Sequence, residues 1–250
     1  MNDHGAWRIE MLANTSGFPI SLGPDEFGWH FGGPGLNGKT VSIRWAGPET
    51  LAMRAPSMVV LEMRKDADSG APFAVDEAGL VVFGAAGPHA DKAIRRAAAL
   101  IRALPDTPLA AFREKTKSMP ATTEEERLAK QRIGQDIFRA SIDDYWSGRC
   151  PITGVSDRAL LRASHIKPWA DCASDERLDL YNGLLLAAHL DAAFDAALMT
   201  FDDAGAILLS PKLSEPAKVL LQQGTHRLRI ADAHKAYLGR HRARFQSMSG

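Results

Sequence analysis

The sequence predicts an α+β chain in two parts: a β-rich domain over residues 1–110, and a mixed domain over residues 121–250 in which helices flank a short pair of strands. Three observations predict it. Residues 1–90 hold 13 of the 21 glycines and 7 of the 14 prolines, too many turn formers for long helices. Short apolar or β-branched runs stand between those turns. The apolar period then changes from two to 3.6 near His89 and again near Glu124.

The stretch FGWHFGGPGLNGKT (27–40) reads as turns. VSIRW (41–45), SMVVLEM (57–63) and GLVVF (79–83) read as strands of one small sheet. From His89 to Leu104, Ile94, Ala97, Ala98, Ile101 and Leu104 share one helical face, and Pro105 stops the helix. Residues 105–122 mix Pro, Lys and small residues and read as a linker. The next helix takes Thr122 or Thr123 as its cap and Glu124, Glu125 and Glu126 in its first turn. It presents Leu128, Ile137, Phe138, Ile142 and Tyr145 as its apolar positions and ends at Ser147-Gly148. ALLRASHI reads as a strand ending in His165, and Pro168 closes it. Asn182-Gly183 is a tight-turn signal, Leu184–Ala187 a short strand, and a helix starts near Leu190. A last helix from Ala231 to Phe245 has few apolar positions and reads as a docked surface helix. Trp7, Trp29 and Trp45 are read as packing residues.

Composition narrows the function classes. Two cysteines exclude a disulfide scaffold and a four-cysteine zinc knuckle. No apolar run reaches the ~18 residues of a membrane span, and MNDHGAWRIE lacks a secretion signal, so a cytoplasmic chain is expected. The 30 basic and 30 acidic residues cancel, which predicts modest nonspecific affinity for a polyanion. The cancellation is not local. Residues 171–203 carry eight acids against Arg177, and residues 226–244 carry six bases against Asp232. An acidic block suits a cation, and a basic tail suits a phosphate surface.

Asp191 and Asp195 lie four apart, so both carboxylates fall on one helix face. Their repulsion turns into binding when a divalent cation sits between them, and oxygen ligands suit Mg²⁺ or Mn²⁺, with Zn²⁺ or Ni²⁺ as alternatives.

ASHIKPW, YNGLLLAAHLDAAFDAAL, the MTFDDAGAILLS hairpin and the upstream ERLAKQRIGQDIFR helix together resemble the HNH endonuclease family, over residues 121–212 with a core motif at 150–212. The resemblance implies a ββα-metal fold that hydrolyses DNA phosphodiesters with one divalent metal. It makes His165 the general base, Asn182 the residue that holds the inter-strand loop and helps orient the site, Asp191 a metal ligand and Asp195 a second. This chain departs from the family in two places. Ser164 stands where many relatives place an acidic or histidine ligand, and His189 could fill that vacancy or contact phosphate. Thr153 replaces the second cysteine of a zinc knuckle, which leaves Cys150 as a small buried residue. Ser164 and Lys167 are candidates for phosphate contact, and the tail helix for the DNA backbone. The expectation is a metal-dependent DNA endonuclease, in restriction or phage defence. The β-rich domain would read DNA or its modification, and a homodimer is left open. The alternative is a non-catalytic DNA-binding protein that keeps the HNH scaffold.

Overall fold

In the computed structural model residues 3–86, 88–120, 123–224 and 227–249 are described. The chain divides into two compact units, Met1–Ala111 and Phe112–Gly250, and mixes helix with sheet in an α+β arrangement.

The first unit is built on a six-stranded antiparallel sheet in the order β1 (Ile20–Pro24), β2 (Trp29–Gly32), β3 (Val41–Gly47), β4 (Thr50–Arg54), β6 (Val81–Gly84), β5 (Ala74–Val75). Strand alternation sorts its residues by face. The register pairs Ile43 with Met53, Leu51 with Phe83 and Met53 with Val81. These side chains are buried and form the core face. Helices α1 (Asp3–Thr15) and α3 (Pro88–Ala103) bury Ile9, Ala13, Ile94, Ala97, Ala98 and Ile101.

Two expectations are corrected in this unit. Residues 57–63 belong to a helix, α2 (Ser57–Asp68), not to a strand. Pro56 at its start fixes an extended entry, and Val59, Glu62 and Met63 are buried at helical spacing. Two adjacent valines gave the strand signal, and the helical period across twelve residues outweighs it. Residues 105–122 are not a plain linker, because Asp106–Thr116 form helix α4. Pro108 lies in its first turns, where a missing N–H costs little. Trp7 is not a packing residue either; it is 63% exposed. Trp45 does pack, donating from Nε1 to the carbonyl of Gly5 at 3.2 Å.

The second unit opens on α5 (Glu124–Tyr145). Thr123 caps it and Glu126 completes a capping box, while Thr122 lies outside the described residues. Strand β7 (Leu161–His165) pairs antiparallel with β8 (Gly183–Ala187), with His165 opposite Gly183. Helix α6 (Ala188–Asp195) follows directly, giving a ββα unit. A hairpin of β9 (Met199–Phe201) and β10 (Ile207–Leu209), then α7 (Glu215–Leu221) and α8 (Asp232–Ser249), complete it.

Phe138 and Ile142 of α5 lie directly on β8. A Cβ at Gly183 would fall 2.3 Å from Ile142 Cδ1 and 2.6 Å from Phe138 Cζ, so only glycine allows the helix this close. Asn182-Gly183 is therefore not a two-residue hairpin turn. Residues 166–182 form a long loop between the strands, and Asn182 closes a short 3-10 turn at its end. Helix α8 is also more than a surface helix, since His234, Leu238 and His241 are buried along one of its faces. Among the described residues no helix is long and apolar enough to cross a membrane.

Candidate active site

His165 is the last residue of β7. Its ring stacks on Phe138 at 3.6 Å between centroids and 17° between planes, and it meets Trp169 edge-to-face at 5.4 Å. Nε2 lies 3.1 Å from the carbonyl oxygen of Arg177. A carbonyl only accepts, so Nε2 carries the proton and donates it, and Nδ1 keeps the lone pair. Burial pulls the imidazole below its usual pKa, with the Arg177 carbonyl opposing. The ring is held neutral, with a basic nitrogen that has no partner among the described residues.

The loop that supplies this carbonyl is pinned by Asn182, which is fully buried. Its Oδ1 accepts from the Lys167 backbone N–H at 2.8 Å. Its Nδ2 donates to the Glu176 carbonyl at 3.1 Å, to Cys172 Sγ at 3.1 Å and, more weakly, to the Lys167 carbonyl at 3.4 Å. The backbone adds a bond from Ile166 N–H to the Asn182 carbonyl at 2.9 Å. One amide thus ties both ends and the middle of the loop, and Arg177 is held where His165 needs it. The Arg177 side chain holds Trp169, with Nε donating to the Trp169 carbonyl at 3.3 Å and the guanidinium 5.4 Å from the ring.

His165, Ser164, Asp191 and Asp195 line one cavity of about 510 Å³. Ala187, not Asp191, occupies the N-cap of α6 and makes no side-chain cap bond, so Asp191 is not spent on capping. The Asp195 carboxyl is pushed above the ordinary carboxylate range by partial burial, then by the charge of Asp191; Arg244 and the Ser164 hydroxyl pull it back. Ser164 Oγ is buried and faces this acid, yet makes no hydrogen bond of acceptable geometry.

Arg139, Arg162 and Arg244 also line the cavity. Their protein bonds go to backbone carbonyls: Arg139 to Leu161 at 3.5 Å, Arg162 to Ala159 and Leu161 at 2.9 Å each, and Arg244 to Asp195 at 2.8 Å. Among the described residues none forms an ion pair with a carboxylate, so these bonds leave further guanidinium donors without a protein acceptor there.

Two expected residues lie elsewhere. Lys167 Nζ is held by the Glu176 carboxylate and does not line the cavity, so its charge is spent inside the loop. His189 precedes Asp191 by two residues, about 200° around the helix, and is not among the cavity walls. Among the described residues, no three His, Cys, Asp or Glu side chains gather into a metal-binding group. The set of Asp191, Asp195 and His189 is therefore not assembled. Two carboxylates on one face and an unpartnered buried hydroxyl do remain, an oxygen-only set that suits a hard divalent ion keeping several waters.

Sequence reasoning missed His241. It is buried against α6, stacked on Phe194 at 3.8 Å and 2°. Nε2 lies 3.0 Å from the Phe194 carbonyl and Nδ1 2.9 Å from Thr200 Oγ1. Its imidazole is pulled down to about 4, first by burial. The signal was present in the spacing of His234, Leu238 and His241, at i, i+4 and i+7, which places all three on one helix face.

A family model described as HNH endonuclease matches residues 150–202, a segment that runs from Cys150 through the loop and the ββα unit to β9. The chain carries an HNH endonuclease domain. No curated protein matches the chain. The match suggests a nuclease and implies a nucleic acid as partner; His165, Asp191 and Asp195 fall inside the matched segment, while Arg139, His241 and Arg244 join the same cavity from outside it.

Proposed function

We propose that the protein is a metal-dependent DNA endonuclease with His165 as general base. The observation that carries this reading is the state of His165: a ring stacked on Phe138 and met edge-to-face by Trp169, Nε2 committed to the Arg177 carbonyl, and Nδ1 without a partner among the described residues, at a cavity that two carboxylates and three arginines also line. Nδ1 takes a proton from a water, the water oxygen bonds to phosphorus, and the bond from phosphorus to O3′ breaks. A lowered imidazole pKa keeps the base unprotonated at neutral pH. Arg139, Arg162 and Arg244 orient the phosphate oxygens through their free donors. Asp191 and Asp195 would hold a Mg²⁺ or Mn²⁺ ion, which when bound supplies Lewis-acid stabilisation of the leaving oxygen. Asn182 acts through the loop, keeping the Arg177 carbonyl and hence the histidine tautomer in place.

Purified protein mixed with supercoiled plasmid and Mg²⁺ or Mn²⁺ tests the proposal. Nicking or linearisation that EDTA stops and His165→Ala abolishes is the expected result, and cleavage untouched by His165→Ala overturns the assigned base. A second reading rests on the incomplete ligand group and on Ser164: a DNA-binding module that no longer cuts. Tight DNA binding independent of metal, with no cleavage under any divalent ion, would favour it. A cutting domain joined to a second folded unit fits restriction or phage defence, and a phage-plating assay with and without the active chain reads that role.

A further inference from the structure

The first unit contains a charge pattern that its own residues leave unbalanced. In the β3–β4 register Arg54 stands opposite Ser42 and Arg44 opposite Ala52. Arg44 and Arg54 are therefore diagonal neighbours on one sheet face, the face away from Ile43, Leu51 and Met53. Like charges at such positions repel. Both guanidinium carbons lie 4.5 Å from the ring centroid of Phe27, a ring only 8% exposed. That contact steadies the two cations without neutralising them.

Four other cations of this unit are paired with carboxylates. Arg96 meets Asp66, Arg95 meets Asp91, Lys39 meets Asp106 and Lys65 meets Glu62. Arg44 and Arg54 have no carboxylate partner among the described residues. They face a cavity of about 690 Å³ also lined by Phe27, Ser57, Leu61 and Arg64. Arg64 is spent on the carbonyls of Val75 and Asp76. Helix α2 starts at this cavity, and Pro56 gives it no side-chain cap, which adds partial positive charge. Glu26 and Glu77 line the cavity as well. Their charge opposes a dense dianion more than a singly charged phosphodiester.

We infer that the Arg44–Phe27–Arg54 face is a second nucleic-acid contact, where two guanidinium forks take a backbone phosphate of DNA. The inference rests on DNA as the partner of the HNH domain, but not on cleavage. It makes the β-rich unit a DNA-holding element, reached by a pair of residues rather than by net charge.

The test is fluorescence anisotropy of the full-length chain with a short labelled DNA duplex, in EDTA and over a range of salt. The double variant Arg44→Gln/Arg54→Gln should bind about tenfold or more weakly, and the slope of log affinity against log salt should shrink by about 1, since each phosphate contacted contributes roughly 0.9. Unchanged affinity and slope in a variant with native-like melting would overturn the inference. Phenylglyoxal labelling of the unaltered protein gives an answer even where the variant misfolds. DNA should protect both arginines; equal labelling with and without DNA sinks the proposal. Protection by deoxyadenosine monophosphate but not by DNA assigns the pair to a free nucleotide and also overturns the nucleic-acid contact. EDTA keeps catalysis out of every arm, so failure of the His165 assignment cannot be mistaken for failure here.

Discussion

Two histidines of the second unit are built from the same parts and differ at one atom. His165 and His241 each stack on a phenylalanine, Phe138 and Phe194, and each commits Nε2 to a backbone carbonyl. Burial lowers both imidazoles. At His241 Nδ1 is taken by Thr200 Oγ1, whereas at His165 it has no partner among the described residues. One ring therefore has no free valence and can only brace α8 against α6, while the other keeps a lone pair at a cavity edge. Stacking and a carbonyl fix a histidine; the unoccupied nitrogen decides whether it can act on a substrate.

The sharpest way to break this contrast is His165→Ala. Loss of the proposed general base should lower the rate of DNA cleavage by about 10²–10⁴-fold, measured as plasmid nicking per unit time, with a smaller change in melting. His241→Ala should do the reverse. It removes a buried ring and leaves the Thr200 hydroxyl without its partner, which costs on the order of 2–4 kcal/mol in denaturant unfolding and reduces cleavage only as far as α6 loosens.

The pH dependence follows from the same shift. His241 has a folded value of about 4 against an ordinary 6.5, so the unfolded chain binds the extra proton between those values. Its contribution to stability is full above 6.5 and is lost as pH falls toward 4, by roughly 3 kcal/mol in all. His241→Asn should flatten the melting curve across that window. For His165 the lowered value moves the acid limb of kcat/KM below 6.5, since the base stays neutral to lower pH. A limb at or above 6.5 would contradict its burial.

Asn182→Ala tests whether the loop carries the tautomer. Loss of the amide leaves the Lys167 N–H and the Glu176 carbonyl unsatisfied in the interior, at a cost of about 1–3 kcal/mol, and activity should fall further than Asn182→Asp allows it to recover. The smallest effect is expected from Asp195→Asn. Without metal it relieves the repulsion from Asp191 and raises stability by about 0.2–0.5 kcal/mol, while the stabilisation gained on adding Mg²⁺ or Mn²⁺ should shrink. A thermal melt with and without the ion reads both.

The parts of the site that sequence made legible are local. His165 at a strand end and the Asp191/Asp195 pair one turn apart depend on short spacing, and the structure brings them to one cavity. Lys167 reads from sequence as a candidate for phosphate contact or a solvated charge, but Glu176 lies nine positions further on and takes its charge. Arg139, His241 and Arg244 reach the cavity from α5 and α8, and no local period links them to β7. In the first unit the α3 face was legible because five apolar positions repeat, while α2 was hidden by two β-branched residues whose neighbours matter more. Asn182-Gly183 shows the same limit. The dipeptide specifies a tight turn in isolation, and packing against Phe138 and Ile142 gives its glycine another use.

Helix α8 ends the helix that carries the two acids. His241 donates to the Phe194 carbonyl and Arg244 to the Asp195 carbonyl, so the last turn of α6 is completed by residues some fifty positions downstream rather than by its own sequence. During synthesis these carbonyls wait for their donors until residues 241–244 have left the ribosome. A chain cut before residue 241 presents His165, Asp191 and Asp195 without the two donors that complete the last turn of α6.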